Sequence, residues 1–287
     1  MKSRIILFFT IIMLIIIYLY QQNNLKKMLT KKNLFVSLMK KYYYYMNKFI
    51  FYIKNNINFA FGHFNDGEIS LILNEAPAKG ISRGKQKCYP LLSKKIMLSL
   101  KYRDKYYFPG IPCSTCYKRY YLFSKNLVGK TDVPACVFHH TKISHFHPFL
   151  SSIEGKKLYW FVDKGKDLSK FNELDYNIDI SSKILVKSKN SFDDYVKIKK
   201  ICNFENNSIV MLLCGPLGRI LAKEWFIENK NVTYLCLGSY FDSLLCGKQR
   251  NYENISRHKY CPECFDKNSI LRELYNSNFI DQKNNNS

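Results

Sequence analysis

The sequence predicts an α/β fold: a Rossmann-like, mainly parallel sheet with flanking helices, preceded by an N-terminal transmembrane helix. Three consecutive features carry the α/β assignment. Ile209-Val-Met-Leu-Leu-Cys214 is an unbroken apolar run, the pattern of a strand buried on both faces. Gly215-Pro216-Leu217-Gly218 turns the chain, and Arg219 to Asn229 then repeats apolar residues at helical spacing: Ile220, Leu221, Trp225 and Phe226. Val232-Thr-Tyr-Leu-Cys-Leu237 is a second buried run, stopped by Gly238-Ser239. Strand, glycine turn, helix and strand form a βαβ unit, whose crossover is almost always right-handed.

The same grammar extends upstream. Lys157 to Val162 and Ile184 to Val186 read as strands, and Asn190 to Cys202 as a helix capped by Ser191, with Phe192, Tyr195, Val196 and Ile198 on its apolar side. Ligands of such sheets bind at the carboxyl ends of strands, near the point where the strand order reverses. That places Gly215 to Arg219 and Gly238 to Asp242 on the expected ligand-facing edge. The domain is expected over residues 56–275, followed by a disordered tail at 276–287.

Composition bounds the rest. The 287 residues are 47% hydrophobic, and Lys plus Arg exceed Asp plus Glu by 23. This excludes a collagen-like fibre, a disordered acidic chain and a small disulfide scaffold. Lysine outnumbers arginine 37 to 8, whereas nucleic-acid surfaces favour the bidentate contacts of arginine. Nucleic acid is therefore not an expected partner; a membrane surface or an anionic small substrate suits the charge better.

Ile5 to Tyr20 is apolar apart from Thr10 and follows Met1, Lys2 and Arg4. As a helix it would span about 24 Å, a little less than a hydrocarbon core. Tyr18 and Tyr20 suit an interfacial belt, and no small-x-small cleavage site follows. Residues 1–24 thus read as an uncleaved, single-pass membrane anchor. Lys26, Lys27, Lys31, Lys32, Lys40 and Lys41 favour a cytosolic body, while glycosylation triplets at Asn206, Asn231, Asn254 and Asn285 point the other way. The side of the membrane stays open. Residues 25–55 read as a basic, Tyr-rich helical connector lying against the membrane or the domain.

Phe59-Ala-Phe-Gly-His-Phe-Asn-Asp-Gly-Glu68 is the richest stretch chemically. An apolar strand ends at His63 or Phe64, a turn projects Asp66 and Glu68, and Ile69, Leu71, Ile72 and Leu73 begin a helix. Two carboxylates at such a junction can share a hard cation such as Mn²⁺ or Mg²⁺. The same two positions also suit a helix cap and a first-turn acid.

Phe64-Asn-Asp-Gly-Glu68 resembles the Arg-Phe-Gly-Asp-Gly-Glu signature of the GT-D-type glycosyltransferases. Three later segments are similar to that family in the same order: Lys189-Asn-Ser-Phe-Asp-Asp194, Leu213-Cys-Gly-Pro-Leu-Gly218 and Leu237-Gly-Ser-Tyr-Phe-Asp242. Together they span about residues 57 to 260. The resemblance implies a nucleotide-sugar donor, a glycan or other hydroxyl acceptor, and a divalent cation held by Asp66 and Glu68 to neutralise the departing diphosphate. The candidate substrate contacts are His63, Asn65, Gly215, Pro216, Gly218, Arg219, Gly238 and Arg250, with Lys248 as a further cation. The glycine turn at 215–218 would let a nucleotide approach helix-start N–H groups. An acceptor hydroxyl needs a general base; Asp242 is the candidate by position, with a capping role as the alternative. Two departures stand out. His63 replaces the signature's Arg, and Asn65 replaces its Gly, where Asn would tolerate a left-handed backbone.

Cys113-Ser-Thr-Cys116 and Cys261-Pro-Glu-Cys264 are two C-x2-C pairs. Four thiolates would close a structural Zn²⁺ site; in an oxidising compartment disulfides are the better reading, and unpaired thiols are the third. His139-His140, His145 and His147 are expected as ordinary loop histidines, with metal or acceptor binding as the alternative, and His258 stands near Cys261. A P-loop, a Gly-x-Ser-x-Gly elbow and a His-Glu-x-x-His helix are all absent from the sequence. The reading is a membrane-anchored, metal-dependent glycosyltransferase. The alternatives are another Rossmann-like transferase, such as a methyltransferase, and a basic zinc-binding nucleic-acid or assembly protein.

Overall fold

The computed structural model describes residues 13, 19–23, 37–75, 89–114, 117–129, 133–163, 166–174, 176–187 and 189–246. Nearly all of the apolar run at 5–20 lies outside these residues, as do Cys116, Lys248, Arg250, His258, Cys261, Cys264 and the tail at 276–287. Among the described residues no helix is long and apolar enough to cross a membrane.

Seven strands form one sheet. In chain order they are β1 (Ala60–His63), β2 (Tyr107–Ile111), β3 (Val133–Pro134), β4 (Leu158–Asp163), β5 (Ile180–Val186), β6 (Ile209–Leu213) and β7 (Thr233–Cys236). In space they run β3-β2-β1-β7-β6-β4-β5, and every pairing is parallel. The expected sheet is therefore present. Its central strands are buried on both faces, and β5, at one edge, alternates half-buried with exposed positions.

Side chains of successive strand residues point to opposite faces, and the core divides accordingly. Phe61, Trp160, Val162, Met211, Leu213 and Leu235 enter one cluster; Ala60, Phe161, Val210, Leu212, Tyr234 and Cys236 enter the other. The first face is covered by α1 (residues 37–54), α5 (Val137–Ile153) and α8 (Asp242–Cys246), with a 3-10 turn at Leu168–Glu173. The second face carries α6 (Tyr195–Lys199) and α7 (Pro216–Glu228). On that side a further cluster joins α2 (Asp66–Ile72), α3 (Pro90–Lys101) and α4 (Lys118–Val128) to Ile220 of α7.

Several expectations change in detail. The connector drawn over 25–55 is, from residue 37, part of the core: Met39, Tyr42, Met46, Phe49 and Ile53 are buried at helical spacing, and Phe49 stacks on Phe59 and Phe138. The helix expected over 190–202 is a 3-10 turn at Ser191–Asp194 followed by the five residues of α6. The residue at its head is Asn190, in left-handed geometry with φ 52°, and Ser191 lies inside the turn. The helix after β6 starts at Pro216 rather than Arg219, because proline's fixed φ and missing N–H suit the first helical position. β2, with Pro109 and Gly110 inside it, carries no strand signal in the sequence; β3 pairs only with Gly110 and Ile111, so Pro109 faces no strand on that side.

Candidate active site

The strand order reverses beside β1. The chain leaving β1 enters α2 and α3 on one face of the sheet, and the chain leaving β7 enters α8 on the other. The crevice between these exits is where ligands of such sheets bind. Gly238, just past β7, adopts φ +60°. A Cβ there would sit 3.3 Å from Cε1 and Nδ1 of His63, so the ring lies directly against the Gly238 backbone.

Asn65 caps α2 from an extended conformation, φ −114°, so the left-handed turn expected at this position is absent. Its Nδ2 donates to Cys136 Sγ at 3.6 Å, and with Glu68 it forms a capping box at the head of α2. Asp66 and Glu68 occupy the first turn of α2, but their environments differ. Glu68 is 6% exposed; its Oε2 accepts from the Asn65 N–H at 3.0 Å and its Oε1 pairs with Arg219 Nη2 at 3.1 Å. Both oxygens serve the protein interior. Asp66 is half-buried, and among the described residues no ion pair takes up its carboxylate. Burial, then the neighbouring Glu68, raises its pKa to about 6, against backbone N–H groups and Tyr117 that favour the charge.

Arg219 is itself 4% exposed. Its Nε donates to the His63 carbonyl at 2.7 Å, Nη1 to the Gly215 carbonyl, and Nη2 to His63 Nδ1 at 2.9 Å. It is an internal hub rather than the open phosphate contact expected from its position. The guanidinium that reaches Glu68 thus comes from α7. Burial first, then Arg219 and His139, holds the His63 pKa well below the usual histidine value. His139 lies on α5, not in a loop, with its ring 5.2 Å from that of His63 and its Nε2 3.4 Å from Ser239 Oγ. His145 and His147 lie on the same helix, bonded to Asn47 and Tyr176 respectively.

The glycine turn after β6 also differs from expectation. Gly215, with φ 62°, is the cap of α7, and Pro216 is buried at its first position. A Cβ on Gly218 would meet Cys236 Sγ and Leu212 Cβ, both at 3.1 Å. Its missing side chain lets the helix pack on the sheet rather than admitting a nucleotide. Asp242 is 2% exposed and its Oδ1 accepts from Lys166 Nζ at 2.6 Å. A carboxylate held by a buried ammonium is poorly placed as a general base, so the expected base role gives way to a structural one. Lys166 carries no motif and was legible only as one lysine among many. Of the four paired cysteines, Cys113 is described; it is buried beyond β2 and close enough to Cys136 to raise that thiol's pKa further.

A two-carboxylate metal clamp does not fit this arrangement, since Glu68 is bonded through both oxygens and a guanidinium stands beside it. Asp66 alone fits as a carboxylate ligand, in the manner of Mg²⁺ sites completed by substrate phosphates and water. Among the described residues no group of three or more His, Cys, Asp and Glu side chains could hold a metal.

No family model and no curated protein matches the sequence. Solved structures do match the fold. The chain is similar to a glycosyltransferase (DUF1792) from Streptococcus sanguinis, at 14% identity and TM-score 0.55 over 76% of this chain and 90% of that one. It is similar also to a structure described as the domain of unknown function 1792 with a distinct glycosyltransferase fold, at 19% identity and TM-score 0.53 over 76% and 87%. A selenomethionine-substituted DUF1792 domain matches at 19% identity and TM-score 0.51 over the same shares. Over three-quarters of its length the chain therefore carries the GT-D-type fold of the DUF1792 glycosyltransferases.

Proposed function

We propose that the chain is a glycosyltransferase that moves a sugar from a nucleotide-sugar donor to a hydroxyl of a glycan acceptor. The observation that carries the reading is Asp66: a half-buried carboxylate, not taken into an ion pair among the described residues, at the tip of β1 beside the reversal of strand order, in a fold shared with glycosyltransferases. In the transfer the acceptor hydroxyl oxygen forms a bond to the sugar's anomeric carbon, the bond from that carbon to the diphosphate oxygen breaks, the diphosphate leaves with the electron pair, and the hydroxyl proton passes to a departing phosphate oxygen or to solvent. Asp66 would hold a divalent cation, which would supply charge neutralisation to that leaving group. Glu68 and Arg219 support α2 from behind, so the Asp66 backbone is fixed before substrate arrives.

The test is a thermal-shift screen of nucleotide sugars with and without Mn²⁺, followed by a transfer assay. One donor should raise the melting temperature in the presence of Mn²⁺, and Asp66→Asn should lower turnover by about a hundredfold or more, the scale of a lost group in a preorganised site. Full turnover by Asp66→Asn would reject the reading. The C-x2-C pairs are settled separately, by zinc content: one equivalent per chain supports the four-thiolate site.

For location we propose a membrane surface reached through residues 1–24. The exposed stripe of α1 supports this, since Tyr44 and Phe51 are more than half exposed there alongside exposed Lys40 and Lys54, the pattern of an interfacial helix. Release of the full chain from vesicles by carbonate would reject the anchor.

A further inference from the structure

The polar network at the end of β1 is incomplete in one specific way. An arginine guanidinium only donates, so the 2.9 Å contact from Arg219 Nη2 makes His63 Nδ1 an acceptor. The neutral ring must then carry its proton on Nε2. That N–H faces away from Arg219 across the imidazole, is buried, and has no hydrogen-bond partner. Buried donors are almost always paired, and an orphan at the end of β1, beside the reversal of strand order where ligands of such sheets bind, calls for an acceptor that arrives from outside. Gly238 lies on the ring, and the His63 carbonyl is itself tied to Arg219 Nε at 2.7 Å. The ring is thus held through its backbone, one nitrogen and one face, with the remaining N–H left over.

We propose that Arg219 is a positioning residue that locks His63 as the Nε2–H tautomer, and that this N–H is the hydrogen-bond donor for a diphosphate oxygen of the sugar donor. The second half rests on the transferase reading; the first does not. Around the ring stand Arg219 from α7, with Glu68 of α2 behind it, and His139 from α5. A ring kept neutral between these groups contributes a directional donor without adding a charge that would compete with a cation for Asp66. The guanidinium that might have met phosphate directly instead sets the orientation of the group that does.

Two measurements on the full chain test this. In the wild type labelled with ¹⁵N at histidine, long-range ¹H–¹⁵N correlation should show the His63 ring, assigned by the loss of its signals in His63→Gln, as the neutral Nε2–H tautomer. Arg219→Lys, which keeps the charge but not the fork, should move it towards a mixture of tautomers. An Nδ1–H or protonated His63 at pH 7 overturns the positioning role, whatever the protein's function. Binding of inorganic pyrophosphate is then followed by calorimetry. His63→Leu should weaken it tenfold or more, and His63→Gln, which keeps an amide N–H near Nε2, by less than about threefold. Equal binding by wild type and His63→Leu overturns the phosphate contact alone. No pyrophosphate binding by the wild type overturns both the contact and the transferase reading, while the tautomer result still stands by itself.

Discussion

Two buried ion pairs sit at the carboxyl edge of this sheet, and their surroundings differ. Glu68–Arg219 joins α2 to α7 at 3.1 Å; Asp242–Lys166 joins α8 to the segment after β4 at 2.6 Å. The first is flanked by a buried donor without a partner, His63 Nε2, and by the half-buried Asp66. In the second, Asp242 takes the ammonium of Lys166, and its own N–H donates to the Ser239 carbonyl at 3.0 Å. Buried charge alone does not mark an active site, because structural ion pairs bury charge equally well. What distinguishes the β1 end is the half-buried Asp66 beside its pair, a carboxylate that no ion pair among the described residues takes up, together with the ring N–H of His63.

The contrast is open to a direct attack. Asp242→Asn leaves the Lys166 ammonium buried without a counter-charge and should cost about 3–5 kcal/mol in urea unfolding, with pyrophosphate affinity unchanged in the folded fraction. Combining it with Lys166→Met should restore much of that stability, since the charge goes with its partner. If Asp242→Asn instead leaves stability within about 1 kcal/mol and removes turnover, the two regions exchange roles and Asp242 is the base after all. Glu68→Gln should cost less, about 2–3 kcal/mol, because Arg219 keeps its bonds to the His63 carbonyl, His63 Nδ1 and the Gly215 carbonyl. Unlike Asp242→Asn, it should also weaken pyrophosphate binding, since Arg219 loses one of the groups that hold it against His63.

How much of this was legible in the sequence follows from the range over which each interaction acts. β6, β7 and the helix between them could be read because their burial is written locally, as apolar runs and a Gly-Pro turn. The strand–turn–helix at Asp66 was legible for the same reason. The destination of each carboxylate was not. Glu68 meets a residue 151 positions away and Asp242 one 76 positions away, and neither spacing has a signature. Arg219 looked like a surface cation because nothing local says that α7 would bring it beneath β1. β2 was missed because proline and glycine erase a strand's propensity pattern, although parallel pairing with β1 stabilises it regardless.

Glycines allow a finer comparison between the site and the rest of the surface. Gly238 and Gly155 both adopt positive φ, +60° and +68°, so a side chain strains either backbone. Around Gly155 nothing lies within 4 Å of an added Cβ, whereas at Gly238 that atom would meet the His63 ring. Gly155→Ala should therefore cost only the backbone term, about 1 kcal/mol. Gly238→Ala should cost about 1–3 kcal/mol and displace the histidine, lowering pyrophosphate affinity where Gly155→Ala leaves it untouched. Equal effects of the two substitutions on affinity would separate Gly238 from the site.

The smallest expected effect has the opposite sign. Asp66 has its pKa raised to about 6 by burial and by Glu68, so above that pH the folded chain holds a carboxylate that would be better solvated unfolded. Between pH 4 and 6 the folded state binds more protons than the unfolded one, and the linkage relation then makes stability fall as pH rises. With divalent cations removed by EDTA, Asp66→Asn should stabilise the fold by about 1–2 kcal/mol at pH 8, less than the full shift implies because the group is partly solvated. The gain should shrink as pH falls through 6 and vanish below about pH 4, where the aspartate is protonated in both states. Neither Asp242→Asn nor Glu68→Gln should show such a gain, since each removes one half of a pair. A substitution that abolishes transfer while strengthening the fold is what a site held ready for an absent cation and phosphate should give. If Asp66→Asn lowers stability at pH 8, the carboxylate is serving the fold, and the difference between the two ends of the sheet edge disappears.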